Sequence, residues 1–195
     1  MHYAETTQKL NEYRARIAEL RAEMREIQAS IEPEAVGDYE FSTPDGPITL
    51  SALFGRHDSL IMIHNMGARC RYCTLWADGF NGLLDHLENR AAFVVSSPDS
   101  PDAQQKFSEI RGWRFRMVSH EGTSFADDMG YRDDSTQDTG GPWQPGVSVF
   151  KKSGDRVERV SDASLGPGDD FCVAWHLFDL LPEGPAGWGP QYRYD

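Results

Sequence analysis

A chain of 195 residues, 39% hydrophobic and 11% aromatic, suits one domain with a short appendage and is too apolar for wholesale disorder, since single cores serve about 100 to 200 residues. Its formal net charge of -12 and pI near 4.9 oppose phosphate backbones and anionic membrane surfaces, so nucleic acid is discounted as a partner. The opening "MHYAETTQKL" lacks the basic and apolar regions of a secretory signal, and no run approaches the roughly 18 apolar residues of a bilayer span; the expectation is a soluble, cytoplasmic protein without a membrane partner.

Leu10, Tyr13, Ile17, Leu20, Met24, Ile27 and Ile31 recur at alternating steps of three and four, which predicts an amphipathic helix capped at Thr6 or Thr7 and ended by Pro33. Its stripe fits either the chain's own domain or a second copy in a homodimer, although about three heptads are short for an independent coiled coil. The helix defines a first segment, 1–35, ahead of a domain at 36–182 and a tail at 183–195 rich in Gly, Pro and aromatics.

After the helix, "YEFSTPDGPITLSALFG" reads as two short strands around a turn at Pro44, Asp45 and Gly46. Leu60 to Ile63 is a continuous apolar run suited to a strand buried on both faces. A helix follows from about Arg71 to Leu87, then a buried strand, "AAFVVSS", and a helix from a Ser100 cap and first-turn Pro101 to about Ile110. "FRMVS" is a short strand, 133–142 a polar loop, and "GVSVFKKSGDRVERV" a hairpin turning at Ser153, Gly154 and Asp155. A closing helix is expected from about Asp169 to Leu181. Strands alternating with helices, then a hairpin and a closing helix, give an α/β domain with a central mixed sheet flanked by helices.

Between the apolar run and its helix stands "HNMGARCRYCTLW", with Cys70 and Cys73 two residues apart. Loops leaving the carboxyl ends of such strands are where chemistry collects. A thiolate at a helix N-terminus faces free backbone N–H groups and the positive end of the peptide dipoles, and Arg69 and Arg71 add positive charge. Cys70 is therefore read as the attacking thiolate, with a pKa below about 8.5, and Cys73 as the resolving thiol. The competing readings are a metal site, and a pair of buried cysteines that only fill space.

"SLIMIHNMGARCRYC" followed by a helix, then "PWQPGVSVFKKSGD", resembles the thioredoxin fold. Over nearly the whole chain, "EYRARIAELRAEM", "YEFSTPDGPITLSALF", "CRYCTLWADGFNG", "GWRFRMVSHEGTSF" and "WHLFDLLPEG" resemble the thioredoxin-like family catalogued as domain of unknown function 899, whose members are described as predicted dithiol-disulfide oxidoreductases. The run from Trp76 to Phe80 is specific to that resemblance. It implies a thioredoxin-like fold with an N-terminal helical extension, no cofactor, and a protein or small-molecule disulfide or thiol as partner. It also implies that Pro145 is a cis-proline lining a substrate groove with Gln144, Arg69, Arg71, Tyr72 and Trp76. His64 stands where thioredoxins carry a buried acid serving the second cysteine, so it is either a proton relay for Cys73 or a satisfied core histidine. Between the cysteines, Arg71 and Tyr72 replace the Gly-Pro of thioredoxins. Peroxiredoxins share the sheet but carry a threonine or serine three residues before their reactive cysteine, where this chain has Gly67, which places peroxidase chemistry lower.

The rivals are a zinc site from Cys70, Cys73, Cys172 and His176, a copper site from Cys70, Cys73, His64 and Met66, and a binding module using the N-terminal stripe with Trp188, Tyr192 and Tyr194. Asp133, Asp134 and Asp138 resemble half of a calcium loop but lack its glycine and distal glutamate, so a solvated acidic loop is the better reading. Phosphate-loop, Gly-x-Ser-x-Gly and His-Glu-x-x-His patterns are absent.

Overall fold

The computed structural model describes residues 2–135 and 141–194. They divide into two compact units, Met1–Pro33 and Glu34–Asp195.

The first unit is one helix, α1 (Tyr3–Ala29). It starts earlier than the threonines suggest. His2 occupies the N-cap, its N–H donating to the Glu5 carboxylate at 3.3 Å, and Thr6 lies inside the helix with its hydroxyl bonded back to the His2 carbonyl at 3.3 Å. Ser30 closes the other end ahead of Pro33. Nothing within a single helix can cover the stripe from Leu10 to Ile31.

The second unit is built on an eight-stranded sheet: β1 (Glu34–Ala35), β2 (Glu40–Thr43), β3 (Gly46–Thr49), β4 (Ser59–His64), β5 (Ala92–Ser97), β6 (Arg116–Ser119), β7 (Gly146–Ser153) and β8 (Arg156–Ser164), in the order β1-β8-β7-β4-β5-β6-β2-β3. β4, β5 and β6 run parallel, joined by α2 (Arg71–Arg90) and α3 (Pro101–Arg111), as parallel strands require. The β7–β8 hairpin lies antiparallel beside β4, and the β2–β3 hairpin closes the far edge against β6.

Side-chain alternation splits the core into two layers. Leu60, Met62 and Val94 face a cluster with Phe41, Phe54, Phe125 and Phe150, whereas Ile63, Phe93 and Val95 face Cys73, Trp76, Phe80 and Leu84 of α2. On α2 the buried positions Cys73, Thr74, Trp76, Ala77, Phe80 and Leu84 recur at helical spacing, the stripe that seats this helix on the sheet.

The remaining elements are short: a 3-10 turn at Leu50–Phe54, α4 (Phe125–Asp128) and α5 (Val173–Phe178). The closing helix expected over 169–181 is thus cut to six residues. Asp169 sets the late start: its carboxylate accepts from the N–H groups of Gly166, Phe171 and Cys172 at 2.9, 2.8 and 3.1 Å, folding the approach into a turn. Past Phe178 the chain continues in turns, with Leu180 and Leu181 exposed. No described helix is long and apolar enough to cross a membrane.

Candidate active site

Cys70 is the N-cap of α2, in an extended conformation with φ -89° and ψ 106°, so its side chain meets backbone donors that the helix leaves free. The Cys73 N–H donates to Cys70 Sγ at 3.0 Å, and the Cys70 carbonyl accepts from Thr74 N and Thr74 Oγ1 at 3.1 and 3.0 Å. Cys70 is half-buried and Cys73 only 3% exposed. Hydrogen bonding to the Cys70 sulfur, then burial, then the Cys70 charge, push the Cys73 thiol well above its ordinary range. The two sulfurs are therefore unequal: one is half-exposed and receives a backbone N–H, the other is buried and keeps its proton. No disulfide joins Cys70, Cys73 or Cys172.

The loop between β4 and α2 is held from three sides. Asn65 Oδ1 accepts the Gly67 N–H at 2.8 Å, Asp99 just past β5 accepts the Ala68 N–H at 2.8 Å, and the Tyr192 hydroxyl donates to the Ala68 carbonyl at 2.9 Å. Gly67 has φ +96°, and a Cβ there would lie 2.8 Å from an Asp99 oxygen, so only glycine fits. Sequence reasoning assigned Asn65 no role and missed Asp99. The available signal for Asp99 is its place after a buried parallel strand, where such loops converge. Tyr192 carries no local signal beyond the aromatic character of the tail.

Of the expected groove residues, Arg69 and Arg71 are exposed on either side of Cys70, and Tyr72 is half-buried, stacked on Trp175 at 6.1 Å. Trp76 does not line a groove. It is buried in the α2 layer with its indole N–H toward Asp169 Oδ1 at 3.4 Å, because it lies one helical step from Cys73 on the core-facing stripe. Pro145 and Gln144 precede β7, at the sheet end from which the Cys70 loop leaves, since Gly146 pairs with His64. The expected cis-proline is corrected: no described peptide bond is cis. Nor is the backbone edge free for a substrate strand. The Pro145 carbonyl accepts the Leu165 N–H at 3.0 Å, one step beyond the Gly146–Ser164 pair that ends the β7–β8 ladder, and the Gln144 N–H donates to the Tyr131 carbonyl at 2.9 Å in the segment after α4.

His64 is also corrected. Strand alternation turns it with Leu60 and Met62 toward the sheet face opposite Cys73. There its ring stacks on Tyr131 at 3.8 Å and on Phe125 at 5.4 Å, and Nε2 pairs with Ser148 Oγ at 2.9 Å. It is a core histidine, not a proton relay for Cys73. Nearby His120 pairs through Nδ1 with Ser96 Oγ at 2.8 Å. Burial, then His120 and Arg159, push His64 well below its ordinary range, and burial lowers His120 to about 4 against the opposing pull of Asp127. Both rings are neutral when folded and take up protons when unfolded. Their stability contribution is therefore complete above about pH 6.5 and is lost as pH falls toward the folded values. For His120 the loss by pH 4 is about 3 kcal/mol. Urea melts should show a steep decline from pH 6.5 to 4.5 that is shallower in His120→Gln; equal slopes contradict this.

The metal sets do not assemble: among the described residues no group of three or more His, Cys, Asp or Glu side chains converges. Cys172 is buried in the α2-side layer, and exposed His176 pairs with Asp170 at 3.6 Å. His64 is turned away from Cys70 and Cys73. Asp138 of the acidic loop lies outside the described residues.

The model of a family described as "Bacterial protein of unknown function (DUF899)" matches residues 4–192. Comparison with curated proteins gave no match. Among solved structures, peroxidoxin BcpB from Mycobacterium tuberculosis is 24% identical with a TM-score of 0.53, over 68% of this chain and 84% of that one. A cysteine-to-serine mutant of PrxQ from Xylella fastidiosa is 14% identical with a TM-score of 0.59, over 70% and 87%. Reduced Prx3 from Vibrio vulnificus is 14% identical with a TM-score of 0.58, over 71% and 89%. These likenesses are of fold, and the second unit is a thioredoxin-like α/β domain.

Proposed function

The chain belongs to the bacterial family of unknown function DUF899, and we propose that it is a thiol–disulfide oxidoreductase working through Cys70 and Cys73. The observation that carries this reading is the Cys73 N–H directed at Cys70 Sγ at the start of α2, with the Cys73 thiol held protonated beside it. A backbone donor at a sulfur favours the anion, and the anion is the nucleophile. In the reaction, Cys70 thiolate attacks a substrate disulfide, forming a mixed disulfide and expelling the first substrate thiolate. Cys73 then loses its proton and attacks Cys70 Sγ, closing the Cys70–Cys73 disulfide and releasing the second. Two electrons pass from the dithiol to the substrate, and an external thiol restores the pair. No cofactor is required.

Equilibration with reduced and oxidised glutathione, followed by mass analysis, tests the proposal. A reversible Cys70–Cys73 bond is expected; failure to form it at any ratio overturns the reading. A potential near about -270 mV marks a reductase, and one above about -200 mV an oxidant or sensor.

A second reading takes peroxide as the oxidant, supported by fold neighbours that include peroxidoxin BcpB from Mycobacterium tuberculosis and peroxiredoxin Q from Xanthomonas campestris. Against it, the position three residues before Cys70 is Gly67, whose φ of +96° a hydroxyl-bearing side chain rarely adopts and whose Cβ space faces the Asp99 carboxylate. Hydrogen peroxide should therefore oxidise Cys70 no faster than an ordinary thiolate of the same ionisation.

A further inference from the structure

The C-terminal tail returns to the reactive loop and touches the chain on both sides of Cys70. Two residues before it, the Ala68 carbonyl accepts the Tyr192 hydroxyl at 2.9 Å. Two residues after it, the Tyr72 hydroxyl stands 3.4 Å from where a methyl on Gly189 would lie. Burial, then the Cys70 charge, raise the Tyr192 phenol against the opposing pull of Arg71. The strap is anchored rather than draped. Trp188 packs edge-on against Trp175 and Phe178 at 5.5 and 4.7 Å, Pro190 is fully buried, and Arg111 donates to the Tyr192 carbonyl at 2.7 Å. Arg111 is itself fixed by Asp78, which also accepts the Trp113 indole N–H at 2.8 Å. Packing of Trp188 and Pro190 alone would tether the tail without bringing it to positions 68 and 72. The strap thus flanks a half-buried Cys70, and the backbone groups beside Pro145 that a substrate strand would pair with are already occupied.

We infer that Tyr192 and its strap determine specificity, admitting to Cys70 a low-molecular-weight disulfide and hindering disulfides carried on folded proteins. This rests on Cys70 being the reactive sulfur. Tyr192 is 37% exposed, so its replacement leaves the core intact. In a Cys73→Ser/Cys172→Ser background, Cys70 is alkylated by N-ethylmaleimide and by a maleimide carrying a long polyethylene glycol chain. The bulky-to-small rate ratio should rise about fivefold in Tyr192→Phe, the scale of one lost hydrogen bond, and further in Tyr192→Ala. With Cys73 and Cys172 restored, Tyr192→Ala should raise kcat/KM for insulin relative to oxidised glutathione in the same direction. An unchanged ratio, including the case where both reagents shift together through altered ionisation of Cys70, overturns the inference. A glutathione titration that yields no Cys70–Cys73 bond would sink the oxidoreductase reading alone, because the alkylation ratio does not depend on it.

Discussion

Cys70→Ser is expected to lower disulfide exchange by about a thousandfold or more, because the attacking atom must be a thiolate and a serine hydroxyl does not ionise in the accessible pH range. Cys73→Ser should behave differently. The backbone N–H of residue 73 still reaches Cys70 Sγ, so attack persists, but nothing resolves the adduct and the mixed disulfide accumulates as a stable mass increment on Cys70. The pH dependence of the intact protein separates the steps. Because Cys73 is held as a thiol well above its ordinary range, release of the mixed disulfide should accelerate about tenfold per pH unit through neutrality, following the fraction ionised. Stopped-time acid quench with mass analysis reads both steps. If Cys70→Ser retained exchange through Cys73, the roles would be reversed and the burial of Cys73 would have no mechanistic meaning.

The elements that position this chemistry were legible because their patterns are local. The run Leu60 to Ile63 became β4, Cys70 became the cap of α2, and the turn around Gly154 joined β7 to β8. What was not legible required knowing which surface meets which. The alternation that turns His64 away from Cys73 is visible in "LIMIH", yet the sequence does not say which face of β4 receives α2. Trp76 was assigned to a groove although its helical phase groups it with Cys73 and Phe80, a grouping whose direction is fixed only by packing. The closing helix starts late because the Asp169 carboxylate folds residues 166–172 into a turn that leaves Cys172 extended, a local hydrogen-bonding choice that apolar spacing does not report. The cis-proline came from resemblance rather than from residues, and no described peptide bond is cis. Asp99 and Tyr192 reach the cysteine loop from distant parts of the chain, so no window of sequence contains the pairing.

Gly146→Ala is expected to cost about 3 kcal/mol or more, the upper range for forcing volume into a packed core. Gly146 opens β7 between His64 of β4 and Ser164 of β8, and a Cβ there would stand 1.9 Å from Tyr131 Cε1 and 2.6 Å from Cζ. The ring has no retreat: it is 6% exposed, lies on His64 at 3.8 Å, and its hydroxyl donates to the Val147 carbonyl at 3.0 Å. Relief would require moving either the strand beside the Cys70 loop or the ring that covers His64. The penalty should therefore shrink when Tyr131→Ala is also present, a coupling that independent sites do not show. Gly82 supplies the contrast, since a Cβ there meets nothing within 4 Å on the exposed face of α2, and Gly82→Ala should stabilise the chain by about 0.5–1 kcal/mol. Urea denaturation of the wild type, the three single variants and the double variant decides it. A mild effect at Gly146, or additivity with Tyr131→Ala, would mean that the ring and strand can separate, and that the sheet end supporting the cysteine loop is softer than its packing indicates.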